Sequence, residues 1–141
     1  MTIMIIDDDA DDRSMFAEAI MEINEAVHLI PMESCEKAID YFNNKSAATP
    51  DFIFLDINMP TMNGWQCLEQ IRDMAKMQHI PVVIYTTSQS EENYEKVKKM
   101  EATYFLSKPS KFKELVGALI LVMDNEWEKL DAMIVFKNKN K

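Results

Sequence analysis

Residues 52–64, which read FIFLDINMPTMNG, decide the fold of this chain. Four apolar residues run directly into Asp56, and the apolar character then ends in a segment that contains Pro60 and Gly64. A short apolar run followed by turn residues predicts a buried strand. Ligands of open α/β sheets bind at the carboxyl ends of such strands. The stretch therefore places the carboxylate of Asp56 where a ligand site is expected, although a strand terminator or a helix cap would look the same in isolation.

The rest of the chain repeats this unit of a strand followed by a helix. Residues 2–6, 27–31, 80–85 and 103–106 predict four further strands. Apolar residues between and after the strands recur with helical spacing. These stripes are Phe16, Ala19, Ile20 and Ile23; Cys35, Ala38, Ile39 and Phe42; Leu68, Ile71, Met74 and Ala75; Tyr94, Val97 and Met100; and Phe112, Leu115, Val116, Leu119 and Met123. Strands that alternate with helices are typical of an α/β fold with a parallel sheet covered on both faces.

Composition limits the classes of function. The chain has 141 residues, enough for one domain, and its formal charge of −9 opposes binding to nucleic acid. No apolar run is long enough to span a membrane, and the N-terminus does not read as a secretion signal. We therefore expect a cytoplasmic protein without a nucleic-acid or membrane partner. Cys35 and Cys67 lie on apolar helix faces, which favours core thiols over a disulfide or a metal pair.

Polar residues follow the predicted strands where the carboxyl ends of a parallel sheet meet. Asp7 and Asp8 follow the first strand, Thr86 follows the fourth, and Lys108 follows the fifth. Together with Asp56 they predict a pocket of three carboxylates, a hydroxyl and an ammonium. Such carboxylates remain ionised when they bind a hard divalent cation, and Mg²⁺ suits a site with few protein ligands. This set predicts phosphoryl transfer, with Asp56 as a nucleophile that forms an aspartyl phosphate.

The ordered set of residues resembles the receiver domains of two-component response regulators. It consists of Asp7-Asp8 after strand one, Asp56 with Asn58-Met59-Pro60 and Gly64, Thr86 after Ile80-Pro81-Val82-Val83, and Lys108-Pro109. The resemblance covers roughly residues 2–123. It implies a flavodoxin-like doubly wound (βα)5 sandwich with a five-stranded parallel sheet in the order 2-1-3-4-5.

The resemblance also implies roles for individual residues. Asp56 accepts a phosphoryl group from a histidine kinase or a histidine phosphotransfer protein. Asp8, Asp56 and the main-chain oxygen of Asn58 ligate Mg²⁺, and Asp7 acts through metal-bound water. Lys108 pairs with Asp56 and then with the phosphoryl group, and its bond to Pro109 is expected to be cis.

The switch and the dephosphorylation rate follow from the same resemblance. The hydroxyl of Thr86 moves onto the phosphoryl oxygen, and this movement is coupled to Phe105, which changes the surface of helix four, strand five and helix five. Asn58 and Ser88 flank the path of the attacking water. Because Ser88 is short and uncharged, we expect slow loss of the phosphoryl group unless a partner assists.

The sequence departs from the family in some places. The turns before strand five, at Met100-Glu101-Ala102, and before helix two, at Glu33-Ser34-Cys35, lack the glycine that many relatives have. We interpret Asp9, Asp11 and Asp12 as residues that cap and solvate helix one rather than bind metal.

The sequence also predicts how the chain divides into segments. Residues 1–124 are predicted to form the receiver domain, and residues 125–141 an extension of helix five with a basic tail. Trp127, Leu130 and Ile134 continue the apolar stripe, which fits packing on the domain itself and equally a homodimer or partner face. The sequence thus predicts a single-domain response regulator that signals by protein contacts or relays the phosphoryl group, and its downstream partner is unknown.

Other functions fit the residues less well. A haloacid dehalogenase-like phosphohydrolase needs an acid two residues after its nucleophile, where this chain has Asn58. A flavodoxin-like cofactor binder needs a first loop that cradles phosphate, which Asp7, Asp8 and Asp9 would repel. A scaffold that is never phosphorylated would be expected to have lost part of the acid set. We therefore expect a phosphoacceptor that assists its own phosphorylation and dephosphorylation, and not a conventional enzyme.

Overall fold

The computed structural model describes residues 1–87 and 104–124 in full, and the backbone of residues 135–137. The strands are β1 (Thr2–Ile6), β2 (His28–Met32), β3 (Phe52–Leu55), β4 (Val82–Thr86), β5 (Tyr104–Ser107) and β6 (Val135–Lys137). The helices are α1 (Ala10–Ile23), α2 (Cys35–Asn43), α3 (Gly64–Asp73) and α4 (Phe112–Met123), with a short 3-10 helix at Ala75–Met77. The helix α4 corresponds to the fifth predicted helix, because the fourth lies outside the described residues.

The strands form one sheet in the order β2-β1-β3-β4-β5-β6. The first five are parallel, which confirms the predicted order 2-1-3-4-5 and the flavodoxin-like fold. Pro31 lies in β2, which is an edge strand, where a missing N–H donor is tolerated. The parallel arrangement brings the carboxyl ends of β1, β3, β4 and β5 to one edge of the sheet.

Two apolar cores lie on opposite faces of the sheet. One core packs α2 and α3 against side chains such as Ile53, Leu55 and Phe105. The other packs α1 and α4 against side chains such as Phe54 and Val83. Consecutive strand residues point to opposite faces, so strands such as β3 are apolar along their whole length because both faces are covered.

Side-chain caps set the starts of the first three helices. The side chain of Ser34 accepts a hydrogen bond from the backbone N–H of Lys37, as its position before α2 predicts. Asp9 caps α1 by accepting from the N–H of Asp12. Asn63 caps α3 in a reciprocal arrangement with Gln66, which fixes where the loop after β3 turns into the helix.

The third helix is shorter than its apolar stripe predicted. It ends at Asp73, and the chain continues as the 3-10 helix Ala75–Met77. Ala75, which was expected on the apolar stripe, is exposed, and Met77 is buried in its place. The buried Arg72 accounts for the change, because its guanidinium donates hydrogen bonds to the carbonyls of Met77 and Ile80 and draws the chain back toward β4.

The sheet contains a sixth strand that was not predicted. The strand β6 pairs antiparallel with β5, with Phe136 beside Phe105. The helix extension with a basic tail was predicted over residues 125–141, and residues 125–134 of it, with Trp127, Leu130 and Ile134, lie outside the described residues. The division into residues 1–124 and 125–141 stays a prediction.

The two cysteines form a disulfide, so the expectation of core thiols is wrong. Cys35 at the start of α2 and Cys67 in the second turn of α3 have Cα atoms 5.7 Å apart. Both are buried. Each helix puts its cysteine on the face that packs against the sheet, and the packing of α2 beside α3 brings these faces together. The pattern of one helix does not show which other helix will pack beside it, so the pairing of the two cysteines could not be predicted.

Within the described residues, no helix has the length and apolarity that a membrane span requires.

Candidate functional site

The polar residues predicted at the strand ends meet at one edge of the sheet. Asp7 follows β1 and Asp56 follows β3, and their backbone N–H groups donate to Met32 and Ile6 in neighbouring strands. Lys108 follows β5, and its N–H donates to the carbonyl of Thr86 at the end of β4. These bonds continue the ladder of the sheet past the strand ends, so the side chains project from a rigid base.

An acidic cluster lies at the centre of this edge. Asp7, Asp8 and Asp56 each offer a carboxylate oxygen, and these oxygens lie within 4.8 Å of one another. Asp7 and Asp56 are buried, whereas Asp8 is exposed. Three carboxylates at this spacing fit a hard divalent cation, which prefers oxygen ligands and keeps part of its water shell on the open side.

Burial changes the pKa of Asp7. Its side chain is fully buried, and desolvation raises its pKa from 3.8 to about 6. Hydrogen bonds from Lys108 and from the N–H of Asp9 oppose this rise, and the charge of Asp56 adds to it. The carboxylate of Asp7 therefore takes up a proton far more readily than an exposed one when no cation is bound.

Lys108 is the positive centre of the site. Its Nζ lies 2.7 Å from Oδ2 of Asp7, 2.7 Å from Oδ2 of Asp12 and 3.2 Å from Oδ2 of Asp56. Burial acts to lower the pKa of the ammonium, but the hydrogen bonds to Asp12 and Asp7 outweigh it and raise the pKa above its usual range. Lys108 is therefore charged at any physiological pH.

An aromatic ring forms part of the surroundings of Lys108. The Nζ atom lies 5.4 Å from the centroid of the Tyr85 ring, within the range of a cation–π contact. Tyr85 is buried and packs edge to face against Phe16 and Phe54. Burial raises the pKa of its hydroxyl above the usual range, so the ring is neutral and presents a fixed face to the ammonium.

The loop after Asp56 connects the phosphoacceptor candidate to Thr86. The backbone N–H of Asn58 donates to Oδ1 of Asp56 over 3.0 Å, and its side-chain amide donates to Oγ1 of Thr86 over 3.1 Å. The structure thus brings Asp7, Asp8, Asp56, Thr86 and Lys108 together. It holds the hydroxyl of Thr86, which is fully buried, beside the loop that carries Asn58.

The remaining predicted residues are placed less completely. Phe105 is fully buried and belongs to the core on the α2–α3 face. Ser88, expected to tune dephosphorylation, lies outside the described residues. The expectation of a cis bond between Lys108 and Pro109 is wrong, since the described residues contain no cis peptide bond. The trans form is the usual one before proline, and in this form the ammonium of Lys108 contacts the carboxylates of Asp7, Asp12 and Asp56.

Asp12 has a contact that its predicted role at the start of helix one did not include. As predicted, it lies outside the acidic cluster, but its carboxylate is as close to Lys108 as that of Asp7. The signal was present in the helical spacing. Asp12 precedes the buried Phe16 by four residues and so continues the apolar stripe toward the sheet, whereas Asp11 lies off the stripe.

Comparison with known proteins gives the family. Residues 3–120 match the sequence profile of the family described as "Response regulator receiver domain". The chain therefore belongs to the receiver domain family of response regulators.

Relatives agree with this assignment. The two-component response regulator ORR8 of Oryza sativa subsp. indica is 28% identical over 109 residues, which are 77% of this chain and 87% of that protein. Hybrid signal transduction histidine kinase D of Dictyostelium discoideum is 25% identical over 126 residues, 86% of this chain but 8% of that protein. For two further relatives the chain spans 54% and 52% of the relative's length.

Solved structures show the same fold. The Mn(2+)-bound form of response regulator Rcp1 superposes with a TM-score of 0.77 at 22% identity, covering 92% of this chain and 96% of that one. Receiver domains interact with histidine kinases or histidine phosphotransfer proteins, and this chain carries the acidic pocket of the family.

Proposed function

We propose that this receiver domain accepts a phosphoryl group on Asp56 from a histidine kinase or a histidine phosphotransfer protein. The contact of Asp56 with Lys108, beside the carboxylates of Asp7 and Asp8, is the observation that supports the proposal most directly. It brings the carboxylate proposed as the nucleophile, the ammonium of Lys108 and the acidic cluster to one point on the sheet edge.

The transfer of the phosphoryl group needs no reactant other than Asp56 and the phosphohistidine. A carboxylate oxygen of Asp56 attacks the phosphorus of a phosphohistidine, and a P–O bond forms while the P–N bond breaks. The electron pair of that bond leaves with the imidazole nitrogen. Lys108 lies close enough to donate to a phosphoryl oxygen, and the N–H of Asn58 holds the other oxygen of the Asp56 carboxylate. Catalysis then consists of orientation and charge stabilisation.

The acidic cluster is proposed to bind Mg²⁺. Asp8, Asp56 and the main-chain oxygen of Asn58 would be direct ligands, and Asp7 would act through bound water. The cation would supply positive charge that offsets the charge of the transferred group. The mutual distance of the carboxylate oxygens supports this assignment, because it suits one shared ion.

The response to phosphorylation is proposed to pass through Thr86 and Phe105. The hydroxyl of Thr86 would leave the amide of Asn58 and donate to a phosphoryl oxygen, and Phe105 on the adjacent strand would respond. The resulting change in the surface around β5 and α4 would alter binding of a downstream protein, or the domain would relay the phosphoryl group. A homodimer and a cytoplasmic location stay predictions.

Loss of the phosphoryl group is proposed to be slow. Water would attack the phosphorus, the P–O bond to Asp56 would break, and the carboxylate would be restored. Asn58 and Ser88 would flank the water, and neither side chain is a base at neutral pH. Rapid dephosphorylation of the isolated phosphoprotein would contradict this part of the proposal.

The decisive experiment is the intact mass of the protein after incubation with acetyl phosphate and Mg²⁺. We expect one added phosphoryl group on the wild type, none when a chelator is present, and none on Asp56→Asn. A phosphorylated Asp56→Asn variant would move the acceptor to another residue. An unmodified wild type that also fails with phosphohistidine donors would rule out the phosphoacceptor function.

A further inference from the structure

Each of the three N–H donors of the Lys108 ammonium has a carboxylate acceptor within reach. A lysine ammonium carries three N–H donors, and three carboxylates lie within 3.2 Å of Nζ. The contacts with Asp7 and Asp12 are both shorter than the contact with Asp56. The donor that contacts Asp56 can pass to a phosphoryl oxygen on that residue, but the shorter bonds to Asp7 and Asp12 hold Nζ away from it, so a closer bond to the phosphoryl group must lengthen one of those two.

Burial decides which carboxylate, that of Asp7 or that of Asp12, loses its hydrogen bond from Lys108 more readily. The side chain of Asp7 is 0% exposed, so without Lys108 it would be left as an unpaired buried charge, which is strongly unfavourable. The side chain of Asp12 is 38% exposed, so water can replace the ammonium at little cost. The bond between Lys108 and Asp12 is therefore the one that yields.

The position of Asp12 is fixed even though its charge is accessible to water. Its backbone N–H donates to the side chain of Asp9 over 3.0 Å in the N-terminal cap of α1. The helix therefore holds the carboxylate beside Lys108. Asp12 is not among the acids whose oxygens cluster as a possible cation site, so its effect on the site passes through Lys108.

We propose that Asp12 is a positioning residue that competes with the phosphoryl group on Asp56 for the ammonium of Lys108. The inference rests on the proposed function of Asp56. Phosphorylation increases the negative charge at Asp56, and the ammonium of Lys108 then moves toward a phosphoryl oxygen and away from Asp12. Asp12 thereby lowers the stability of the phosphorylated state relative to the free state and sets how readily the domain is phosphorylated.

The test uses trifluoroberyllate, an anion that coordinates a carboxylate oxygen in tetrahedral geometry and so imitates a phosphoryl group. Its affinity is measured by calorimetry at saturating Mg²⁺ for the wild type and for Asp12→Asn, Asp12→Glu and Asp11→Asn. Because a bond to a charged acceptor is roughly twice as strong as one to a neutral acceptor, Asp12→Asn should bind about threefold to tenfold tighter. Asp12→Glu, which keeps the carboxylate, should stay near the wild type.

Asp11→Asn is the matched control for net charge. Asp11 is exposed, lies in the same turn and has the same charge as Asp12, so a general charge effect would appear in both variants. We expect the affinity of Asp11→Asn to change by less than about twofold, since solvent and salt screen its charge. Equal tightening in the two asparagine variants would overturn the proposal.

A second readout shows whether Asp12 acts through Lys108. Urea unfolding of the metal-free protein is measured for the wild type, Asp12→Asn, Lys108→Met and the double variant. We expect Asp12→Asn to lower the folding equilibrium constant in the wild-type background by about threefold or more, and not in the Lys108→Met background. The same loss in both backgrounds would show that Asp12 does not act through Lys108.

The two proposals fail in different ways. If neither acetyl phosphate nor a phosphohistidine donor modifies the wild type, the phosphoacceptor function of Asp56 is in error. If the wild type is modified but trifluoroberyllate binds Asp12→Asn no more tightly than the wild type, only the role of Asp12 is in error.

Discussion

Gly64 lies directly against the backbone of Asp56. A Cβ atom added to Gly64 would stand 2.4 Å from the carbonyl oxygen of Asp56 and 2.5 Å from Cα of Ile57. The N–H of Gly64 also donates to the carbonyl of Ile57 over 3.2 Å. The loop that leaves the phosphoacceptor candidate therefore folds back on itself, and α3 can begin there only because its first residue has no side chain.

We expect Gly64→Ala to destabilise the fold and to displace Asp56. The new Cβ would overlap backbone atoms, which cannot move aside as a flexible side chain can, and such overpacking costs about 1 to 3 kcal/mol or more. Urea denaturation gives the stability, and intact mass after acetyl phosphate treatment gives the yield of phosphoprotein, which should also fall.

The other glycine of the chain is the control for this substitution. Gly117 lies within α4 with nothing within 4 Å of its added Cβ. Gly117→Ala should therefore stabilise the protein by about 0.5 to 1 kcal/mol through helix propensity. If both variants had the same effect on stability and phosphorylation, the close approach of Gly64 to Asp56 would not matter.

The parts of the fold and site that could be predicted from sequence are those that depend on short-range pattern. A run of apolar residues ending in Asp56 predicts both a strand and the position of its carboxylate, because parallel strands share one edge. Lys108 was placed at the site by the same reasoning from the end of β5. The cap at Asp9 needed only a local hydrogen bond.

The missed features depend on contacts between segments that are distant in sequence. The disulfide requires that the stripes of α2 and α3 face each other, with a separation of 32 residues. The bond between Asp12 and Lys108 spans 96 residues. The 3-10 helix depends on where Arg72 finds carbonyl partners. No single segment carries this information.

The pKa of Asp7 predicts a pH-dependent stability for the metal-free protein. Its pKa is about 6 in the folded state, above its ordinary value of 3.8, so the folded state binds this proton more tightly than the unfolded state does. This term makes the protein less stable as the pH rises from about 4 to about 6, and it is constant above that range.

Asp7→Asn imitates the protonated form of Asp7, so comparison with the wild type gives the contribution of this carboxyl group to the free energy of unfolding. We expect the variant to be more stable than the wild type by about 2 to 3 kcal/mol above pH 6, because one pKa unit corresponds to about 1.4 kcal/mol. The difference should shrink toward zero as the pH falls to about 4. Urea denaturation in the presence of a chelator measures it, and a difference that does not depend on pH would contradict the assignment.

The disulfide predicts a stability that depends on reducing agent. A cross-link over a separation of 32 residues lowers the entropy of the unfolded chain, which corresponds to roughly 3 to 4 kcal/mol in the chain-entropy treatment. We expect reduction by a dithiol to lower the free energy of unfolding by up to about this amount. In Cys67→Ala, which cannot form the bond, the reductant should have no effect, and an equal effect in both proteins would exclude the disulfide as its cause.

We expect Asp8→Asn to change the free energy of unfolding in opposite directions with and without Mg²⁺. Without the cation, the substitution removes repulsion from Asp7 and Asp56 at distances within 4.8 Å. Unit charges that far apart in water repel by about 1 kcal/mol, so the variant should be slightly more stable than the wild type.

With Mg²⁺, the order of stability should reverse. A ligand present at 100 times its dissociation constant stabilises the folded state by about 2.7 kcal/mol, and Asp8→Asn should lose much of this gain because it lacks one ligand. Asp11→Asn, which removes an exposed acid of the same helix start, should keep the full gain. The free energy of unfolding measured in chelator and in a Mg²⁺ titration gives both signs. If Mg²⁺ stabilises Asp8→Asn as much as the wild type, the ion binds elsewhere, and the carboxylate of Asp8 is not a ligand.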